Sequence, residues 1–316
     1  MIYIPNDGLD PAWNQAFEEC AFELPTHDDL LLVWRNAPAV ICGRYQNIFQ
    51  EVHLPTAVAE GIHLVRRITG GGCVYHDPGN VNYALITDAT QSGYDRPLCQ
   101  MLEALRAIGV PAERSGSSAL AIEGCKISGS AQRVSKGRLL HHGTLLFDAN
   151  LQRLRRLANG HSACYTSKAI RSEPAPVGNI RDFLVDHTLD VETFCRRLIG
   201  ALAPDETRPA DFAAHATQLA EEKYRSWSWT FAPSPRFTFS RSCDFTATPC
   251  RSPTRRSKAF CGICASSAQD WTARASAPRW KGCGWSRNPS GTSWRHSFRI
   301  SNGRHFCSTA CFDQKG

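Results

Sequence analysis

The chain has 316 residues, 42% hydrophobic and 21% charged, which excludes a disordered chain and suits a soluble protein with one large domain and a smaller one. No apolar run approaches the ~20 residues of a membrane span, and MIYIPNDGLDPAWNQAFEEC has no basic segment before an apolar core. No membrane partner and no signal peptide are therefore expected, and the expected location is cytoplasmic. The net charge of +7 is unevenly placed: residues 1–241 carry 24 Lys and Arg against 26 Asp and Glu, residues 242–316 carry 12 against 3. For the first 241 residues, nucleic acid is not an expected partner.

In chain order, Asp10-Pro11 joins a good N-cap to a first-turn proline and opens a helix through NQAFEECAFE. LLLVWRNAPAVICGR reads as two short strands around an Asn36–Pro38 turn, with YQN as the following loop. IHLVRRI is a third strand ending at Gly70, Gly71 and Gly72, and VNYALI is a fourth. LCQMLEALRAIGV carries apolar residues at helical spacing and stops at Gly109 and Pro111. LAIEGCKISGSAQR and LLHHGTLLFDA read as a pair of strands around a basic, glycine-containing turn, and VETFCRRLIGAL as an amphipathic helix. Strands and helices mix without βαβ alternation. The expected fold class is α+β, a mainly antiparallel sheet with flanking helices.

Composition changes near residue 242. From Ser242 onward there is no Leu, Val or Glu, and seven of the 14 cysteines lie there. Three readings stand open. Cys261, Cys264, Cys283, Cys307 and Cys311 offer ligands for a zinc module. A basic arm with interleaved Trp offers a nucleic-acid surface. Translation out of frame after about residue 242 would also give a chain rich in Arg, Ser, Cys and Trp. The loss of three common residue types throughout the segment favours the last. The expected domains are a catalytic domain over 1–242 and an atypical basic Cys/Arg/Ser-rich tail over 243–316.

The most informative stretch is RRITGGGCVYHDPGNVNYALI, residues 66–86. It is neither a Walker A loop, since no Gly-Lys-Ser/Thr follows, nor a dinucleotide fingerprint. Alone, three glycines are most simply a tight turn. With Arg66 and Arg67 beside them, they become candidates for an anion cradle, because backbone N–H groups can approach phosphate oxygens there.

This segment resembles the signature of the lipoate–protein ligase A family. So do WRNAPAVICGRYQN (34–47), KISGSAQRVSKGRLLHHGTLLFDANL (126–151), SKAIRSEPAPVGNI (167–180) and KYRSWSWTFAPSPRFTFSRS (223–242), in family order. The resemblance implies a biotin/lipoyl ligase-like catalytic domain that uses ATP and Mg²⁺. It would activate lipoate to lipoyl-AMP and transfer the lipoyl group to a lysine of a lipoyl domain. The implied acceptors are 2-oxoacid dehydrogenase E2 subunits and the glycine cleavage H protein. Carried over by motif, Arg67 and the loop Gly72, Cys73, Val74 and Tyr75 hold ATP or lipoyl-AMP. Lys126 is catalytic and touches both nucleotide and lipoate, and Arg67, His76 and Arg133 also contact lipoate. Weaker correspondences are Arg44, Asn47, His142, Gly143 and Thr144, with Trp34, Val74 and Tyr83 as candidate walls for the acyl chain.

The chain departs from the family at Ser117, Ser118 and Ala119, where a carboxylate and an amide often stand, so no residues name the Mg²⁺ ligands. Cys73 stands where Ala or Thr is usual and reads as a small-residue variant. Alternatives are a lipoyl or octanoyl transferase using a preformed acyl donor and, from another class, a zinc- or nucleic-acid-binding protein acting through the tail. Biotin ligase is disfavoured because GRYQN replaces its usual GRGRxGR loop.

Overall fold

A computed structural model describes residues 1–91, 93–158, 165–202, 206–243, 285–287 and 294–299. The five cysteines of the possible zinc set, and most of the tail whose reading frame is in question, lie outside the described residues. The chain divides into two compact units, the larger comprising Met1–Asn159 and Ile170–Pro233.

The larger unit is built on an eight-stranded sheet. In spatial order its strands are β12 (Glu206–Thr207), β1 (Ile2–Tyr3), β2 (Leu30–Arg35), β6 (Asn80–Asp88), β10 (Arg138–Leu146), β9 (Cys125–Ser135), β8 (Ala119–Ile122) and β7 (Glu113–Ser115). Only the β12–β1 and β1–β2 pairs are parallel, so the sheet is mainly antiparallel as expected. Helices explain why β2 reads as an unbroken apolar run, because both of its faces are covered. Leu30, Leu32 and Trp34 pack with α1 (Pro11–Glu23) and α7 (Ala213–Leu219). Leu31 and Val33 pack with α4 (Asp95–Ala107) and α6 (Val191–Ala201). At about 1.5–3 kcal/mol for each fully buried Leu, this strand anchors the domain.

Helix α1 starts as its cap predicts, with Asp10 Oδ1 accepting the Ala12 and Trp13 N–H groups and Pro11 in the first turn. Two expectations change. LAIEGCKISGSAQR is two strands, β8 and β9, reversed at Glu123 and Gly124, whose φ values of 50° and 76° fit a two-residue hairpin turn. The two strands flanking Asn36–Pro38 also part company: β2 joins the large sheet, whereas β3 (Ala39–Cys42) is central in a second sheet, ordered β4 (His63–Arg66), β3, β5 (Val74–His76). One face of this small sheet, through Ile41 and Val65, joins the α1 core. Its other face, through Val40, Cys42 and Tyr75, packs with Ile48, Ala57 and Leu157. Those three belong to the helices α2 (Ile48–Glu51), α3 (Leu54–Ala59) and α5 (Leu151–Leu157).

The second unit is represented by a four-stranded antiparallel sheet, ordered β11 (Tyr165–Ser167), β13 (Phe237–Cys243), β15 (Trp294–Arg299), β14 (Trp285–Arg287). The FTFSRS stretch, expected near the end of the large domain, belongs to this sheet.

Candidate active site

A cavity of about 290 Å³ lies in the larger unit. Gln15 of α1, Trp34 of β2, Asn82 of β6, His142 and Thr144 of β10, and Lys126 and Gly129 of β9 line one part; Ile41, Gly71, Gly72, Cys73, Val74 and His76 line another. The glycine loop and Lys126 therefore share one cavity, despite standing more than 50 positions apart in sequence.

Lys126 sits at an irregularity in the β8–β9 pairing. Its backbone is fixed from outside the sheet: its N–H donates to the Pro176 carbonyl at 2.8 Å and its carbonyl accepts from Gly178 N–H at 3.2 Å. The side chain lies over Gly129, where an added Cβ would stand 3.2 Å from Cε and 3.4 Å from Nζ. Gly129 thus leaves the room that lets the ammonium lie along the wall. Among the described residues no carboxylate pairs with it.

The arginines of the RR pair behave differently from that ammonium. Arg67, 6% exposed, donates from Nη2 to the Gly70 and Gly72 carbonyls at 2.5 and 2.8 Å, from Nη1 to the Ile41 carbonyl at 3.1 Å, and from Nε to Thr69 Oγ1 at 3.0 Å. Four of its five N–H donors are thereby committed to shaping the loop. Arg66 faces the other way and holds the carbonyls of Gly43, Arg44, Gln46 and Thr230 at 2.8–3.2 Å. The pair is a double clamp on backbone, and a bidentate phosphate grip by both is not the arrangement observed. Burial pulls both guanidinium pKa values below their usual range. The counter-charge to Arg67 lies at a distance. Thr69 Oγ1 meets His142 Nε2 at 2.7 Å, and His142 Nδ1 meets Glu18 Oε1 at 2.7 Å. Thr69 Oγ1, which accepts from Arg67, thus links the guanidinium through His142 to Glu18, which is 1% exposed.

His76 is ordered by a second chain. Asn14 Nδ2 donates to Asn36 Oδ1 at 2.7 Å, so Asn36 Nδ2 faces His76 Nδ1, also at 2.7 Å, and the ring carries its proton on Nε2. Burial and the charge of Arg67 push this histidine down to about 3, keeping it neutral. His76 Nε2, Trp34 Nε1 and Gln15 Oε1 are buried without a hydrogen-bond partner among the described residues. Each such group costs about 1–3 kcal/mol unless a ligand or water meets it.

Ser172 closes over the loop. Its Oγ accepts the Cys73 N–H at 2.9 Å and the Gln46 Nε2 donor at 3.1 Å, and an added Cβ on Gly72 would stand 3.0 Å from it. The Cys73 sulfur lies 2.8 Å from Cys42 Sγ, and burial, then the Cys42 contact, raises the Cys73 thiol pKa well above its usual value.

Of the residues singled out from sequence, Arg67, Gly72, Cys73, Val74, His76 and Lys126 line the cavity, as do Trp34, His142, Gly143 and Thr144. Tyr75 does not: strand alternation sends Val74 and His76 to the cavity and Tyr75 to the opposite core. Arg133 is exposed and donates to the Ile68 carbonyl at 3.2 Å, outside the lining. Tyr83 is fully buried on the face of α4 and α6, under Gly143, where an added Cβ would stand 2.6 Å from its hydroxyl. Arg44 lies over the Trp229 ring at 4.2 Å, and Asn47 caps α2. Sequence reading missed Gln15, Asn82 and Ser172. Polar residues in the otherwise apolar α1 were a signal for Gln15.

The fold is that of solved lipoate–protein ligases. A bipartite lipoate protein ligase from Thermoplasma acidophilum aligns at TM-score 0.61 with 21% identity, over 73% of this chain and 95% of that one. A lipoate-protein ligase A bound with ATP aligns at TM-score 0.61 with 23% identity, over 72% and 97%. The model of the lipoyl protein ligase A/B catalytic domain matches residues 10–203. Lipoate–protein ligase 1 of Staphylococcus aureus is 33% identical over 78% of this chain and 77% of its own. The ligase LplJ of Bacillus subtilis is 34% identical over 77% of each. The chain belongs to the lipoyl protein ligase A/B family, and it is an enzyme.

Proposed function

We propose that the protein is an ATP-dependent lipoate–protein ligase that forms lipoyl-AMP and passes the lipoyl group to a lysine of a lipoyl domain. The observation that supports this most is the uncommitted Lys126 ammonium in the same cavity as the glycine loop. Negative charge develops on a phosphoryl oxygen when lipoate attacks ATP, and on the acyl oxygen when the acceptor lysine attacks lipoyl-AMP. One preorganised cation at the acyl–phosphate junction serves both steps. Arg67 would act by holding the Gly70 and Gly72 carbonyls inward, which turns the intervening peptides toward the nucleotide. Val74, Ile41 and Trp34 supply the apolar wall for the acyl chain.

A lipoyl-domain acceptor is supported by the Thermoplasma ligase, which is described with an E2 lipoyl domain. E2 subunits of 2-oxoacid dehydrogenases and the glycine cleavage H protein are the proposed acceptors, and the cytoplasm the proposed location. The described residues contain no group of three or more His, Cys, Asp or Glu that could cage a metal, and Glu173 is the one carboxylate in the lining. Mg²⁺ would then enter held by the phosphates with its waters rather than by a cage of described residues; no step is assigned to it.

We also propose that residues 1–242 are the catalytic domain and that 243–316 is an out-of-frame remnant of the accessory domain that longer family members carry. Purified protein should then lipoylate an acceptor domain from synthetic lipoyl-AMP far faster than from lipoate plus ATP. Equal rates would refute the remnant, and no transfer by either route would refute the ligase.

A further inference from the structure

We propose that Cys42 and Cys73 form a dithiol modification site, which a hydroperoxide converts to a disulfide under the glycine loop, weakening nucleotide binding until a thiol reduces it. Strand β5 runs antiparallel to β3 with Ala39 opposite His76, Val40 opposite Tyr75 and Ile41 opposite Val74. Cys42 and Cys73 are the next opposed positions. Opposed residues of an antiparallel pair have Cα atoms about 4.5–5.5 Å apart, inside the range a disulfide spans. The sulfurs stand 2.8 Å apart, so closing to a bond of about 2.05 Å needs less than ~1 Å of movement. No other two cysteines among the described residues touch through sulfur.

Access is one-sided. Cys73 is half-buried and lines the cavity, whereas Cys42 is fully buried behind it. In the first step the Cys73 thiolate attacks a peroxide oxygen, the O–O bond breaks, and water leaves after protonation, giving a sulfenic acid. Cys42 sulfur then attacks Cys73 sulfur and expels the hydroxyl as a second water, with the Cys42 proton. Two thiols and one hydrogen peroxide become one disulfide and two waters. Burial makes the first step slow compared with an exposed thiolate. The second is fast, since its partner is already in contact.

The cost falls on the loop. Cys73 N–H is bonded to Ser172 and the preceding Gly72 carbonyl to Arg67, so pulling Cys73 toward β3 strains both. Displacements near 1 Å in a reacting site cost on the order of 10²-fold. This consequence rests on the adenylate reading proposed above; the cross-link itself does not.

The test uses the full chain, reduced and then treated with hydrogen peroxide, with peptide mapping and ATP titration by calorimetry. Expected is a Cys42–Cys73 linked peptide, ATP affinity lowered about 10-fold or more, and recovery with dithiothreitol. Cys42→Ala, which lies outside the cavity lining, should bind ATP normally when reduced and, after peroxide, carry oxidised Cys73 with no disulfide. In the wild-type chain, oxidation of Cys73 without linkage to Cys42, or linked protein that binds ATP as the reduced form does, overturns the proposal. If reduced wild type binds no ATP, the adenylate reading falls, and mapping alone then upholds or overturns the disulfide.

Discussion

The two arms of the cavity are held in opposite ways. In the glycine arm, side chains shape backbone: Arg66 and Arg67 spend their donors on carbonyls, and Ser172 takes the Cys73 N–H. In the β9 arm, backbone fixes a side chain: the peptide groups of Lys126 are pinned to Pro176 and Gly178, and its ammonium stays uncommitted. Cations in one site can thus do unlike work. A buried guanidinium with its donors filled is architecture, and an ammonium without a carboxylate is available for chemistry.

The sharpest way to break this contrast is Lys126→Ala. Lipoylation should fall about 10²–10³-fold, as for loss of an oxyanion donor, with the melting temperature unchanged; a large loss of stability would make Lys126 architecture too. Arg67→Ala should do the converse first, costing about 3–5 kcal/mol in urea unfolding because it strands Glu18 and several carbonyls in the interior. Gly143→Ala drives a methyl against the Tyr83 hydroxyl and should cost about 1–3 kcal/mol by the same measurement. Thr69→Val interrupts the link from Arg67 to Glu18 at about 1 kcal/mol, and Thr69→Ser, which keeps the hydroxyl, should restore it.

A separate, graded effect is that of pH. His76 and His141 are buried and neutral, each pushed from 6.5 down to about 3. Between those values the unfolded chain binds more protons. Their contribution is therefore fully present above pH 6.5 and declines as pH falls toward 3, by up to ~1.4 kcal/mol per unit for each ring. Denaturant unfolding at pH 7 and pH 5 checks the slope, which should lessen in His141→Gln.

Much of this arrangement was legible in the residues. The Asp10 cap, the apolar run of β2, the glycine loop and the lysine strand all follow local rules that packing did not override. Tyr75 was misplaced because the loop was read as one unit, although residues 74–76 form a strand whose alternation separates Tyr75 from its neighbours. Arg133 stands outside the cavity lining, with Nη1 on the Ile68 carbonyl, an arrangement that a motif position does not carry. The hairpin at Glu123–Gly124 was hidden because Glu is an uncommon residue at positive φ. The Ser172 bond to Gln46 and the Arg66 bond to Thr230 span 126 and 164 positions, which no local pattern carries.

The ordering of His76 has one more consequence. Asn36 Nδ2 occupies the free lone pair on its Nδ1. That imidazole is not available as a general base for an arriving amine. An acceptor lysine that loses its own proton before it attacks should make transfer from preformed lipoyl-AMP quicken with pH, in step with deprotonation of that amine.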